Sequence, residues 1–237
     1  MRSVKTIFLG LALLGAATCP VWAAKPPVVV ELFTAQGCAS CTAADEAAAA
    51  LADRVDVLPL TFSVDYWDYL GWTDSFARGE FSDRQRVYAR RFGIRDVYTP
   101  QVVIDGMVET SGAKPAAIEP LIAAQARLYR NPPDMETMGS NRVAVGTGRA
   151  PAGGAEVYLV RYEPRPTPVS VRSGENRGRT LEYRNVVREL VLLGPWAGRP
   201  RAYRLPPQTE DGLTSAILVQ GANGGPMIGV MIIPTND

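Results

Sequence analysis

From residue 28 the chain runs Val28-Val29-Val30-Glu31-Leu32-Phe33, a largely apolar stretch that turns at Gly37 and gives way to an Ala-rich segment over 42–52. An apolar run closed by a turn reads as a buried strand, and the segment after it as a helix. A second apolar run, 55–64, follows Asp53-Arg54. A helix between two such strands predicts a parallel βαβ unit. Over 81–92, Phe81, Gln85, Tyr88 and Phe92 recur on one side while Arg84, Arg86, Arg90 and Arg91 fall mostly elsewhere, the period of a helix that Gly93 stops. Asp105-Gly106 between 101–104 and 107–110 is a strong hairpin signal. Pro115 near the first turn and Ile118, Leu121, Ile122, Gln125 and Leu128 predict a further helix over 114–129.

The pattern changes at 131–140, where Asn131-Pro132-Pro133 opens a stretch that reads as a linker. Beyond it helical periodicity stops. Short runs with strand character follow at 142–147, 156–162, 169–172, 188–193, 202–205, 215–220 and 227–233, separated by Gly, Pro and Asn clusters. That spacing predicts a small antiparallel β-sandwich or barrel. The expected organisation is therefore a leader over 1–23, an α/β unit over 24–130, a linker over 131–140 and a β-rich unit over 141–237.

Composition changes the picture in two places. The chain has 237 residues, a net charge of +1 and no histidine. The weak charge offers no field to recruit nucleic acid. The missing histidine removes Cys-His and Ser-His nucleophile pairs and His-ligated zinc. At the start, Arg2 and Lys5 precede an apolar core over 7–17 and the small-residue site Val21-Trp22-Ala23, the pattern of a cleaved export signal. The mature chain is then expected in the periplasm or outside the cell, with no integral membrane segment. Of the three cysteines, Cys19 leaves with the leader, so Cys38 and Cys41 remain, in an oxidising compartment.

Those two cysteines stand one helical turn apart where the first strand passes into the first helix, close enough to bond. Free N–H groups and the positive end of the helix dipole lie beside Cys38 and favour its thiolate. A thiolate with a second thiol in reach is the minimum machinery of thiol–disulfide exchange, with Cys38 attacking and Cys41 resolving. A structural disulfide is the plainer reading. Closing so short a loop stabilises by only about 2 kcal/mol, against about 4 for a loop of some 60 residues. A linear Cu(I) site is a third reading, although tetrahedral zinc lacks ligands. Exchange needs no cofactor and no metal, only a protein thiol or disulfide substrate and a redox partner. Asp45 and Glu46 suit the first turn of the helix as capping support. Tyr66, Trp67, Tyr69 and Trp72 form either a recognition wall beside the cysteines or a packed loop over the sheet edge.

The order strand, Cys-x-x-Cys helix, strand, helix, Thr99-Pro100, hairpin and closing helix resembles the thioredoxin superfamily. The resemblance implies a thioredoxin-like fold for the N-terminal unit. It also implies a cis Pro100 facing the cysteines, with Thr99 and the neighbouring Tyr98 contacting substrate. The chain is more specifically similar to an uncharacterised family of exported bacterial thioredoxin-like proteins. The matching stretches are Glu31 to Cys41, Val64 to Trp72, Tyr98-Thr99-Pro100-Gln101, and Gly174-Glu175-Asn176-Arg177-Gly178-Arg179-Thr180. Departures from the wider superfamily are Gly37 in place of a Trp and Leu32 in place of a buried acid. Glu31, one residue earlier, becomes the candidate proton acceptor for Cys41, with an ion-paired structural carboxylate as its alternative. That uncharacterised family has no settled activity, so the first reading, an exported thiol–disulfide oxidoreductase, rests on the cysteine pair itself. A binding or assembly protein that keeps the scaffold around a structural disulfide is the competing reading.

Overall fold

The computed structural model describes residues 25–128 and 131–233. The expected leader lies outside the described residues. The first half contains β1 (Val28–Thr34), α1 (Thr42–Leu51), β2 (Val57–Ser63), α2 (Gly79–Phe92), β3 (Gln101–Ile104), β4 (Val108–Ser111) and α3 (Ile118–Ala126). Short 3-10 turns at Ala39–Cys41 and Pro115–Ala117 lead into α1 and α3. β1 and β2 are parallel, with Val28 facing Val57 and Thr34 facing Ser63. β3 runs antiparallel to β1 and pairs through the hairpin with β4.

Alternation along β1 divides the core. Val28, Val30 and Leu32 pack against Ala44 and Ala48 of α1 and Ile118 and Ile122 of α3. Val29 and Phe33 face the other way, onto Phe81 and Tyr88 of α2. The helices thus cover both faces of the strands, as a parallel pair buried on both sides requires.

The second half adds β5 (Met135–Thr137), β6 (Arg142–Val145), β7 (Ala155–Glu163), β8 (Thr167–Ser170), β9 (Thr180–Tyr183), β10 (Val186–Trp196), β11 (Arg201–Arg204), β12 (Thr214–Gly221) and β13 (Met227–Ile233). Four of these strands do not form a sheet of their own. They extend the first one, giving the eight-stranded order β13-β12-β7-β10-β2-β1-β3-β4. The expected separate sandwich is corrected to a mixed α/β molecule with one large sheet and two small ones, β11-β6-β5 and β8-β9. The physical reason lies at β2, whose outer edge needs hydrogen-bond partners. Val186 registers with Thr61, and the Thr61 N–H donates to the Asn185 carbonyl at 3.0 Å. Asn185 Nδ2 donates in turn to the Pro59 carbonyl at 2.9 Å. Within the stretch 131–140, β5 pairs with β6. The small sheet packs on the large one around Val143, Val145, Val157, Leu159, Trp196 and Ile217. Among the described residues, no helix is long and apolar enough to cross a membrane.

The Asp105-Gly106 turn does more than reverse the chain. Asp105 Oδ1 accepts from the Val29 N–H at 2.9 Å, and the Asp105 carbonyl accepts from the Met227 N–H at 2.8 Å. Gly106 has φ +62°, and a β-carbon there would sit 2.3 Å from the Gly225 carbonyl oxygen. Gly106→Ala is expected to destabilise the fold by about 2 kcal/mol or more, from backbone strain together with the clash. A urea midpoint unchanged from the native chain would contradict this.

Candidate active site at the start of the first helix

Cys38 and Cys41 form a disulfide with Cα atoms 5.4 Å apart. The turn is local: the Cys38 N–H donates to the Ala35 carbonyl at 3.1 Å and the Cys41 N–H to the Cys38 carbonyl at 3.2 Å. The Thr99–Pro100 peptide bond is cis and lies against the pair. Thr99 Oγ1 donates to Cys38 Sγ at 3.5 Å and accepts from Trp67 Nε1 at 2.9 Å. A β-carbon on Gly112 would sit 2.9 Å from the β-carbons of both Ala44 and Pro100, so this glycine permits the close approach of α1 to the proline.

The sulfur pair is enclosed. Cys38 and Cys41 are both 0% exposed. Part of the cover is Trp67, whose ring lies 4.0 Å from where a Gly37 β-carbon would be. The loop between β8 and β9, from the far half of the chain, is fastened to the backbone of the same turn. Asn176, itself fully buried, donates through Nδ2 to the Gln36 carbonyl at 2.9 Å and the Cys38 carbonyl at 3.0 Å. Glu175 Oε2 accepts from the Ala39 N–H at 3.0 Å. Arg179 braces the loop from Asn176 Oδ1 at 3.0 Å to Thr42 Oγ1 at 3.3 Å. Gly174, at φ +76°, would place a β-carbon 3.6 Å from Gly37 Cα, leaving little room between the two backbones. Glu175 thus holds a negative charge at the helix start where the sequence leads one to expect a free dipole beside Cys38. In this closed arrangement it opposes the thiolate.

The structure brings Cys38, Cys41, Thr99, Pro100 and Trp67 together. Trp72 joins them indirectly, donating through Nε1 to Gln36 Oε1 at 2.9 Å. Tyr66 turns aside to Gln85 Oε1 at 3.0 Å, and burial pushes its hydroxyl pKa up to about 12. The hydroxyl of Tyr98 donates to Glu109 Oε2 at 2.5 Å, and its carbonyl accepts from Gln85 Nε2 at 2.8 Å. The hydroxyl and the carbonyl of Tyr98 therefore have partners inside the protein. Glu31 lies in the ion-paired arrangement that was the alternative to a proton acceptor. Its carboxylate is paired with Arg84 Nε and accepts from Arg84 Nη2 at 3.0 Å and from the Tyr88 hydroxyl at 2.5 Å. With its oxygens engaged by a guanidinium and a phenol, it is a structural carboxylate.

Sequence reasoning missed two features. Asn176 reads as a turn residue of the β-rich half, and only the recurrence of the Gly174–Thr180 stretch hints at more. Asp45 reads as capping support in the first helical turn, and nothing in the sequence signals that it is only 5% exposed. Its two carboxyl oxygens are enclosed, as are the hydroxyls of Thr34, Ser63 and Tyr183, and none of these atoms has a hydrogen bond of full geometry. Thr34 and Ser63 face each other across β1 and β2, and the Thr34 hydroxyl bears on Asp45. Burial holds the Asp45 carboxyl well above the usual carboxylate range, against the opposing pull of Thr34. Asp74, nearby, accepts from the Gln36 N–H at 2.8 Å and the Phe76 N–H at 2.9 Å. Burial nonetheless raises its pKa to about 6. A polar cell thus lies one helical turn behind Cys41.

A family model described as a protein of unknown function (DUF1223) matches residues 29–220. No curated protein matches the chain. Among solved structures, a crystal structure of a protein from Agrobacterium tumefaciens is 32% identical, with TM-score 0.73 over 91% of this chain and 97% of that one. HBP35 of Porphyromonas gingivalis is similar in fold alone, at 14% identity and TM-score 0.61, over 88% of this chain and 75% of that one.

Proposed function

As this chain belongs to the DUF1223 family of unknown function, we propose from its own site that it is an exported thiol–disulfide oxidoreductase with a thioredoxin-like N-terminal half. The observation that carries the reading is the Thr99 hydroxyl 3.5 Å from Cys38 Sγ, with Pro100 next to it and the cysteine pair at the start of α1. An extended segment of a protein substrate laid along Thr99 would bring its own sulfur to Cys38. A substrate thiolate then attacks Cys38 Sγ, the bond to Cys41 breaks, and its electron pair leaves on Cys41. A second thiolate of the substrate releases Cys38 and completes a disulfide in the substrate. The reverse sequence reduces a substrate disulfide. Either direction requires Trp67 and the Gly174–Asn176 loop to move aside, because both sulfurs are enclosed.

That same enclosure favours a second reading, a binding or assembly protein whose disulfide is a staple. Capture separates the two. Cys41→Ser leaves Cys38 without its resolving partner, so mixed disulfides with cell-envelope proteins are expected to accumulate. They are expected to disappear in the Cys38→Ser, Cys41→Ser double variant. If neither variant captures anything, and the native pair stays oxidised in the folded chain under excess dithiothreitol, the staple stands and the oxidoreductase falls.

A further inference from the structure

The groups behind Cys41 have no place in the scheme above, yet their arrangement is unusual for a folded interior. Buried side-chain oxygens nearly always find hydrogen-bond partners, and those that do not call for an explanation. Here five such atoms, from Thr34, Asp45, Ser63 and Tyr183, lack a bond of full geometry. Electrostatic coupling ties them into one neighbourhood. Asp45 feels Thr34 and Asp74, Asp74 feels Ser63, and Tyr183 feels both carboxyls. Asp45 is four residues beyond Cys41 at the start of α1, so its side chain stacks on the same side of the helix, one turn on.

Resting on the exchange reading, we infer that Asp45 delivers the proton that Cys41 needs when the disulfide opens, and that the hydroxyls of Thr34 and Tyr183 receive the carboxylate left behind. The step balances. The incoming thiolate forms a bond to Cys38 Sγ, the Cys38–Cys41 bond breaks, and its electron pair goes to Cys41 Sγ. The Asp45 carboxyl transfers its proton to that sulfur and becomes a carboxylate. The Thr34 and Tyr183 hydroxyls, which make no bond of full geometry while the acid is neutral, can each rotate to donate to the anion. With the pair oxidised, the acid is neutral because of burial, and Asp74 and Glu46 add to the resistance against ionisation. Tyr183 is held protonated by burial and by the two carboxyls, with Arg179 acting the other way. Reoxidation runs the transfer backwards, with the Asp45 carboxylate taking the proton from the Cys41 thiol.

Infrared difference spectra of the full chain, oxidised against reduced, test the transfer directly. A protonated-carboxyl band is expected in the disulfide form, lost on reduction, and absent from both forms of Asp45→Asn. That substitution keeps the shape of the neutral acid. Reduction by dithiothreitol, corrected for the thiolate fraction of the reagent, is expected to slow about 10- to 100-fold in Asp45→Asn. The native corrected rate should fall as pH rises through the ionisation of Asp45, while the variant's should be flat. A purely structural role would move the rate without changing its pH profile. Should Asp45→Asn fail to fold, Thr34→Val serves in its place, and a shift of the carboxylate band in the reduced form is expected. A carboxyl band unchanged by reduction, or a native rate and pH profile in Asp45→Asn, overturns the inference and leaves the oxidoreductase intact. A native disulfide that dithiothreitol cannot open overturns both.

Discussion

Replacing Arg84 with Met is expected to cost the fold about 3–5 kcal/mol, because it leaves the Glu31 carboxylate buried without its counter-charge. Glu31 is fully enclosed and Arg84 nearly so. The guanidinium does more than neutralise. Its Nη2 donates to the Tyr88 hydroxyl at 3.1 Å and to Gln220 Oε1 at 3.0 Å, and its centre lies 5.1 Å from the Tyr158 ring. Gln220 donates back to Tyr88 at 2.8 Å and on to the Gly225 carbonyl at 2.9 Å. One cation therefore joins β1, α2 and β12, bringing both halves of the chain to one point. Burial works most strongly against its charge, but the Glu31 carboxylate together with Tyr88 and Tyr158 outweighs it and keeps the guanidinium ionised. Urea denaturation followed by far-ultraviolet circular dichroism measures the loss. Combining Arg84→Met with Glu31→Leu is expected to recover much of it, since an apolar pair in place of a buried ion pair is often close to neutral. A single Arg84→Met variant with native stability would show that the carboxylate finds another partner, contrary to the network described.

Asn176→Ala is expected to open the cysteine site, speeding reduction of the disulfide by dithiothreitol about 10- to 100-fold. The side chain satisfies two carbonyls, Gln36 and Cys38, in an interior that water does not reach. Removing the donor raises the free energy of the closed state, where those carbonyls stay buried, but not of an open state in which water can replace it. About 2 kcal/mol is a reasonable value for this difference. Every 1.4 kcal/mol is worth a factor of ten. Asn185→Ala is the control. It removes a comparable buried donor, to Pro59, at the β9–β10 junction. If both variants speed reduction alike, general loosening accounts for the effect. If Asn176→Ala matches the native rate, the loop is not the barrier.

The first half of the chain is legible from its sequence because its signals are local. The Val-rich run, the Ala-rich helix, the Phe81–Phe92 periodicity and the Asp105-Gly106 turn each act within a dozen residues, and the structure has an element at each. The two cysteines could be singled out for the same reason, since their type and spacing are informative on their own, whereas Thr99-Pro100 stood out only through the resemblance to the thioredoxin superfamily. The shared sheet was not legible. It depends on Asn185 meeting Pro59 and Thr61 from more than a hundred positions away, and alternation within a strand says nothing about which strand lies beside it. The burial of Asp45 and the partner of Glu31 were out of reach for a related reason. Asp45 is enclosed only once the chain has folded, and Glu31 meets Arg84 from 53 positions away. Asn176 resembles any turn residue until the loop that carries it closes over Cys38.

The pairing of β10 with β2 changes what the β-rich half is for. A chain ending near residue 130 would carry the naked flank of β2 into water, with the Thr61 amide and the Pro59 carbonyl ready to recruit a strand from any neighbouring molecule. The later strands thus occupy a backbone edge that the first half, on its own, would leave open to pairing.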